Sequence, residues 1–516
     1  MSGRAGGVVY MNSLNFCLRN EISHNDKMWF LLTLGVKLSM KYVSIFAILI
    51  IVFSCQFLSA QEKYKNRVVI LTDIENEPDD TESIIRLLLY SNVIDIKGLI
   101  ATTSTHQKNN VHPESIQRVI HAYGKVQANL IRHEKGFSPA DVLLKIVKQG
   151  IPEYGMKGVG EGKDSQGSEW IIKVLEENDA RPLWICVWGG PNTLAQALSK
   201  IRKTKSEAEV ERLIGKLRVY TISDQDDSGI WIRKNFPSLF YIVSPGGYEH
   251  STWGAINEFI PGINNETISN SWLSQNIQQN HGPLGAVYPD VAYGMEGDTP
   301  SWLNLIPNGL NEPEHPDWGG WGGRYEKYLP EYVSYNSGFT GGVPIEAEPR
   351  EIWTNAIDSV RPYRHNEFGR SVRQDTSIFA GNRVTIWRWR DDFQNDFAAR
   401  MDWCMKSYKE ANHPPVPELC HPDQIIVKSG ELFFLDASKS TDPDGDNLSF
   451  LWFHYPEAGS YKKLIPFASA ENLWRVVVKA PDVEKSETAH FILKVTDKCT
   501  PPLSRYRRII VTIVPG

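Results

Sequence analysis

From about residue 66 to residue 241, short apolar runs alternate with segments of helical period. This pattern predicts strands at 67–71, 94–102, 182–188, 217–222 and 239–243. It predicts helices at 81–90, 113–123, 169–176 and 192–200. Strands alternating with helices imply right-handed crossovers and a largely parallel sheet. Four of the strands run into polar or glycine-rich loops, at 73–80, 102–106, 189–193 and 223–229. In a parallel sheet those ends share one edge, so the loops are expected to converge on one crevice.

The pattern then changes twice. Between 245 and 350 Gly, Pro, Trp, Asn and Tyr dominate and periodicity is weak, as in lid-like or functional segments. A helix is expected again at 391–408. Beyond the proline-rich stretch around 412–417 come short alternating strands at 431–435, 448–453, 474–478, 490–495 and 509–513, the pattern of a β-sandwich. The expected domains are an N-terminal extension and signal (1–60), an α/β domain (61–412), a Pro-rich linker (413–417) and a β-sandwich (418–516).

The signal is read from Met40-Lys41-Tyr42, an apolar run over 43–58, and Ser59-Ala60-Gln61, with cleavage after Ala60. A secreted or periplasmic protein is expected. The alternative is a lipid anchor at Cys55, since Ser54-Cys55 faintly resembles a lipoprotein processing site. Lys37 and Lys41 interrupt any single span starting near Met28, so no stable membrane span is expected after cleavage. Of six cysteines, cleavage leaves Cys186, Cys404, Cys420 and Cys499, which allow three pairings. Cys186 lies in a strand-like run and is expected to be a buried free thiol. The net charge of −6 gives no reason to expect a nucleic-acid partner.

The chemistry concentrates in Thr72-Asp73-Ile74-Glu75-Asn76-Glu77-Pro78-Asp79-Asp80, where a strand ends in five carboxylates within eight residues. Clustered carboxylates repel one another, and a site that keeps them ionised holds a cation. Hard oxygen ligands in a tight loop suit Ca²⁺. Helix capping accounts for one of these acids, not five. Trp318 and Trp321, set between glycines, either stack on sugar rings or plug the cavity wall. Thr299-Pro300 reads as a helix start.

The strand, Asp73, the loop, and Asp79-Asp80 opening a helix resemble the aspartate-rich motif of the nucleoside hydrolases. Trp188-Gly189-Gly190-Pro191-Asn192-Thr193 resembles their glycine-rich loop, and Glu296-Gly297-Asp298-Thr299-Pro300-Ser301 carries a late aspartate. The three motifs together resemble a bacterial cellulose-binding protein family with a nucleoside-hydrolase-like domain and a small C-terminal β domain. That resemblance implies a mainly parallel sheet flanked by helices. It implies a Ca²⁺ held by Asp73, Asp80, the main-chain carbonyl of Trp188, and Asp298. It implies Asp73 as the group that takes a proton from the attacking water. Glu77, Asp79, Asp224, Asp227, Glu296 and His106 are then expected around the substrate, with Trp318 and Trp321 as possible stacking partners. The leaving-group acid is sought among His106, His250, His281 and Glu296. The chain departs from classical nucleoside hydrolases in two ways: the loop is two residues longer, and Leu71 stands where an aspartate usually precedes the first ligand.

Residues 436–452 resemble the immunoglobulin-like repeats of secreted carbohydrate-active proteins, with Trp452 expected in the core. Asp442, Asp444 and Asp446 offer a second set of Ca²⁺ ligands, but a turn so rich in Asp and Gly needs no metal. The expected function is a secreted Ca²⁺-dependent hydrolase of N-glycosidic or related glycosidic bonds. The alternative is a non-catalytic carbohydrate (cellulose)-binding protein using the same cavity or exposed aromatics. The partner in either case is a sugar-containing small molecule or polysaccharide, and a homo-oligomer stays open.

Overall fold

The computed structural model describes residues 65–244, 253–331, 343, 346–361, 364–365, 371–372, 378–468 and 472–516. The signal-like segment and His250 lie outside the described residues. Residues Lys65–Gly516 form one compact unit. Its centre is a sheet of β1 (Asn66–Thr72), β2 (Ile94–Ala101), β3 (Val147–Gln149), β4 (Leu183–Val187), β5 (Leu217–Thr221), β6 (Phe240–Val243), β7 (Tyr325–Tyr328) and β8 (Ile352–Asn355). The strand order is β3-β2-β1-β4-β5-β6-β8-β7, all neighbours pairing in parallel except the β7–β8 pair. β1 alternates between two cores: Val68 and Ile70 face one, Val69 and Leu71 the other. A strand apolar on both faces needs helices on both, which the crossovers supply.

The chain winds outward from β1 in one direction through β2 and β3, then returns to its other side with β4. The gap beyond the ends of β1 and β4 is therefore the topological switch point, where such sheets leave a crevice. The acidic loop follows β1 and the glycine loop follows β4, so both motifs stand at that gap.

The expected strands and helices of this half are all present. The helix expected to stop at residue 123 runs over Pro113–His133. Gly124 is the reason: a Cβ there would sit 2.9 Å from Cβ of Ala140, so the glycine admits the Ala140–Lys145 helix rather than ending its own. Glu207–Lys216 and Ser228–Asn235 are helices that the apolar pattern alone did not reveal; the first opens on a capping box of Ser206 and Glu209. Among the described residues no helix is long and apolar enough to cross a membrane.

The C-terminal part has a four-stranded sheet (Gln424–Lys428, Ser504–Val514, Glu487–Asp497, Leu448–His454, in that order) and a two-stranded one (Leu432–Asp436 with Arg475–Lys479). Both share one core, with Trp452 inside it. Gln424–Lys428 was not expected; it is an edge strand with only Val427 buried. The Pro-rich stretch before it is no loose tether. Asn412 and His413 are buried, and Val416 bridges to Thr441. Charged contacts fasten the β part to the α/β part: Asp396 accepts from Arg505 at 2.7 Å, Asp392 from Lys494 at 2.5 Å, and Arg508 donates to the carbonyls of Leu310 and Gly319. The four described cysteines are free, Cys186 and Cys404 buried.

Candidate metal centre and crevice

The acidic loop turns immediately after β1. Its tip residue Glu75 has φ +80°, a left-handed conformation that non-glycine residues rarely adopt. The loop is tied down on both sides. Gln107 Nε2 donates to the carbonyls of Asp73 and Ile74, and Glu75 accepts from Ser115 and Arg118 of the Pro113–His133 helix. Pro78, not an aspartate, occupies the cap of the Asp79–Leu88 helix, and no side chain caps it. Asp79 and Asp80 lie in its first turn, where the helix dipole favours negative charge.

Asp79, Asp80 and Asp298 bring carboxylate oxygens within 4.8 Å of one another, all three side chains buried. Asp73 is buried beside them but outside this tight trio, and Glu77 is half-buried at the rim. The trio thus includes Asp79, expected near substrate, where the resemblance placed Asp73. Burial raises every carboxyl in the group. Asp79 is pushed up to about 8, by burial and then by the charges of Glu77 and Asp73. Asp298 is driven well above the ordinary range by burial and by Asp79, Asp80, Asp73 and Glu77. Asp80 is raised by burial, Asp73 and Asp79, and is held by the Thr72 hydroxyl. Asp73 is raised by burial and partly relieved by Ser104 and His106. Oδ2 of Asp298 is buried without a partner, and an unpaired buried acceptor costs about 1–3 kcal/mol.

The glycine loop presses against this group. A Cβ on Gly189 would meet the Asp73 carboxyl at 2.9 Å, and one on Gly190 would lie 2.3 Å from Oδ2 of Asp226. Both positions therefore require glycine through close approach. The Trp188 carbonyl accepts from Gln225 Nε2 at 2.5 Å, and its indole donates to Ser301.

Other expected site residues are engaged elsewhere. Glu296 is fully buried, with φ +50°, and pairs with Arg86; Tyr288 and Thr299 also donate to it. Its carboxylate is committed to the buried guanidinium of Arg86. Thr299 spends its hydroxyl on Glu296 and Ser83 rather than on capping Pro300–Leu303. Asp224 is paired with Arg233 at 2.6 Å, which also binds Glu348. Asp227 is exposed and accepts from the Met156 amide. His281 faces Asp402 at 3.2 Å. His106 is exposed and close enough to Asp73 for each to feel the other's charge.

The two tryptophans pack against the C-terminal part. Trp321 is fully buried, its indole donating to Tyr506 Oη at 3.3 Å. Trp318 is stacked on His315 at 3.9 Å and meets His490 edge-on. Trp321 has no exposed face for a sugar, and Trp318, half-buried, has one face covered by His315. The glycines around them admit close packing at the junction instead: Cβ atoms on Gly319 and Gly320 would strike Tyr455 and Asn311.

The sequence pattern did not single out Glu82 or Arg86, and of the loop Asp224-Gln225-Asp226-Asp227, where the family resemblance puts further sugar ligands, only the two end aspartates were expected at the site. Glu82 is fully buried, accepts from the Glu296 amide, and leaves Oε1 without a partner. Arg86 was detectable, because an arginine inside an otherwise apolar helix needs a buried carboxylate. Asp226 is buried, holds the Ser228 amide at 2.7 Å and the Asn192 amide at 3.3 Å, and is pushed up to about 7 by burial. It stitches the β5 loop to the helix that follows the glycine loop.

A doubly wound α/β body with a buried acidic cluster at its switch point, fused to a small β domain, defines a nucleoside-hydrolase-like class. Residues 67–325 match the family model described as cellulose-binding Sde182, nucleoside hydrolase-like domain, and residues 432–513 match the C-terminal domain of cellulose-binding protein Sde0182. The chain belongs to this cellulose-binding Sde182 family. A solved structure of a nucleoside hydrolase-related hypothetical protein from Saccharophagus degradans, described as associated with carbohydrate metabolism, is 34% identical. The match covers 87% of this chain and 100% of that one, with a TM-score of 0.72. The type III effector XopQ, solved with adenosine diphosphate ribose, and the effector XOO4466 are each 10% identical. Each match covers 57% of this chain and 88% of the other, at TM-scores of 0.29 and 0.27, too low to bear on the fold. No curated protein matches.

Proposed function

We propose that the crevice binds Ca²⁺ through Asp79, Asp80 and Asp298 with Asp73 alongside, and that it hydrolyses an N-glycosidic or related glycosidic bond of a sugar-containing ligand. The observation that carries this is the buried trio of carboxylates, with Oδ2 of Asp298 unpartnered. The charges acting on Asp298 all come from carboxylates, so a cation is what the donor set lacks. Hard oxygens in this number fit Ca²⁺. The Trp188 carbonyl keeps a second lone pair beyond its bond to Gln225 and is a further candidate ligand.

When bound, such an ion orients sugar hydroxyls and a water and offsets the crevice's negative charge. Asp73, buried and next to the trio, accepts the proton of that water as it attacks the anomeric carbon. The surrounding carboxylates stabilise the positive charge that develops on the sugar ring. Glu77 at the rim accepts hydrogen bonds from sugar hydroxyls. His106, exposed and within electrostatic reach of Asp73, is the candidate to protonate a leaving group.

Calorimetry with Ca²⁺ tests the ion: wild type binds and Asp80→Ala does not, and identical isotherms refute the assignment. A panel of nucleosides and glycosides tests turnover: wild type releases reducing sugar and Asp73→Asn does not. The second reading is a carbohydrate-binding protein without turnover, favoured by the family's cellulose-binding description. It predicts that wild type and Asp73→Asn retain equally on cellulose and that neither releases sugar.

A further inference from the structure

We propose that His133, His413 and Asp444 form a proton-dependent latch that fastens the segment leading into the C-terminal β domain onto the α/β body. His133 is the last residue of the Pro113–His133 helix. His413 lies in the segment entering the β domain, and Asp444 in that domain's Asp-Gly turn. Nδ1 of His133 lies 3.0 Å from Nε2 of His413. The outer nitrogens have partners too: Nε2 of His133 is 2.9 Å from the Lys406 carbonyl, and Nδ1 of His413 is 3.0 Å from both oxygens of Asp444. Both rings are buried, His413 stacked on Tyr408 at 3.8 Å and His133 parallel to Trp403 at 5.4 Å.

The proton count decides the charge. A backbone carbonyl only accepts, so Nε2 of His133 carries a proton. An ionised carboxylate only accepts, so Nδ1 of His413 carries another. The contact between the rings needs a third. Two neutral imidazoles hold only two, so the complete chain holds one extra proton, a positive charge set against Asp444. Burial disfavours charge on His133, which places the extra proton on the ring beside Asp444. The Asp444 carboxylate is otherwise committed only to the His413 amide, at 2.7 Å. The other charged groups around the pair are Asp402, which is held by Lys406 and His281, and Asp442 and Asp446, whose carboxylates lie within 4.8 Å of that of Asp444.

When the third proton leaves, two neutral rings can satisfy only two of the three contacts, and one pair of lone pairs is left face to face. Docking therefore takes up a proton, and it weakens as pH rises. The same helix holds the acidic loop at its other end, through Ser115 and Arg118.

His133→Asn isolates the latch. The asparagine amide stands where Nδ1 was and donates to a neutral His413, so the chain is completed without the extra proton. In the full-length protein the melting temperature of wild type relative to His133→Asn is expected to fall by about 2 °C from pH 5.5 to 8.5. Parallel profiles for the two proteins overturn the latch. In wild type labelled with ¹⁵N-histidine, the four ring nitrogens of the pair should read as three protonated and one bare at pH 5.5, and as two and two at pH 8.5. Two and two at both pH values overturn it as well, and this reading stands even if the variant does not fold.

Discussion

Two regions of this molecule bury carboxylates, and they treat them in opposite ways. At the junction with the β domain, Asp396 is enclosed by Arg400, Arg505 and the Tyr90 hydroxyl, and its carboxyl is held down at about 2 despite burial. In the crevice, Asp79, Asp80 and Asp298 face further carboxylates, and burial carries Asp79 up to about 8. The junction is electrostatically complete within the chain. The crevice is complete only with something from outside it, which is the difference between a structural ion pair and a binding site.

The largest expected effect breaks the junction. Asp396→Ala takes the carboxylate away from buried Arg400 and half-buried Arg505, and urea denaturation should show a loss of about 3 kcal/mol. The same truncation in the crevice should act the other way. Without Ca²⁺, Asp298→Asn removes a carboxyl whose ionised form is disfavoured by burial and by its acidic neighbours, and should raise stability by about 1 kcal/mol. If both substitutions destabilise equally, the contrast between the regions is wrong.

The next effect is ligand linkage. Ca²⁺ at a hundred times its Kd should stabilise wild type by about 2.7 kcal/mol, and Asp298→Asn by much less. Denaturation with EGTA and with saturating Ca²⁺ measures both. The pH dependence follows with its own sign. The crevice carboxyls are raised on folding, so the folded chain holds more protons than the unfolded one between the ordinary carboxylate range and about 8. Stability in EGTA should therefore fall as pH rises through that window, and saturating Ca²⁺ should flatten the slope. Asp396 is depressed, so its contribution is present at neutral pH and is lost only as pH falls toward about 2.

The same contrast explains what was legible in the sequence. The parallel sheet could be read because β1, β4 and β6 carry continuous apolar runs, and a strand buried on both faces leaves that signature. The acidic loop could be read because its unpaired carboxylates cluster within the chain itself. The junction could not, because Asp396 meets Arg505 across more than a hundred residues, and local pattern carries no trace of such pairing. Glu296 and Asp224 were drawn toward the site for the same reason: their partners Arg86 and Arg233 became visible only with the fold. Trp318 and Trp321 show the ambiguity of aromatics between glycines, since the glycines that suggested an open platform turned out to admit Tyr455 and Asn311.

The smallest effect tests where the crevice ends. Glu75 stands in the same loop as Asp73 and Glu77 but spends its carboxylate on Ser115 and Arg118, away from the trio. Arg118 and Glu75 are both well exposed, so the pair is screened by solvent, and Glu75→Gln should cost about 0.5 kcal/mol or less. Its Ca²⁺ affinity should stay within about twofold of wild type, since a screened charge outside the trio adds little to the field there. Glu77 differs in burial and in orientation: it is half-buried and its charge reaches Asp79 and Asp298. Glu77→Gln should therefore weaken Ca²⁺ more than Glu75→Gln does, while disturbing stability no more. Equal losses of affinity from the two substitutions would mean that the extended loop acts as a diffuse acidic patch rather than as a wall of the crevice.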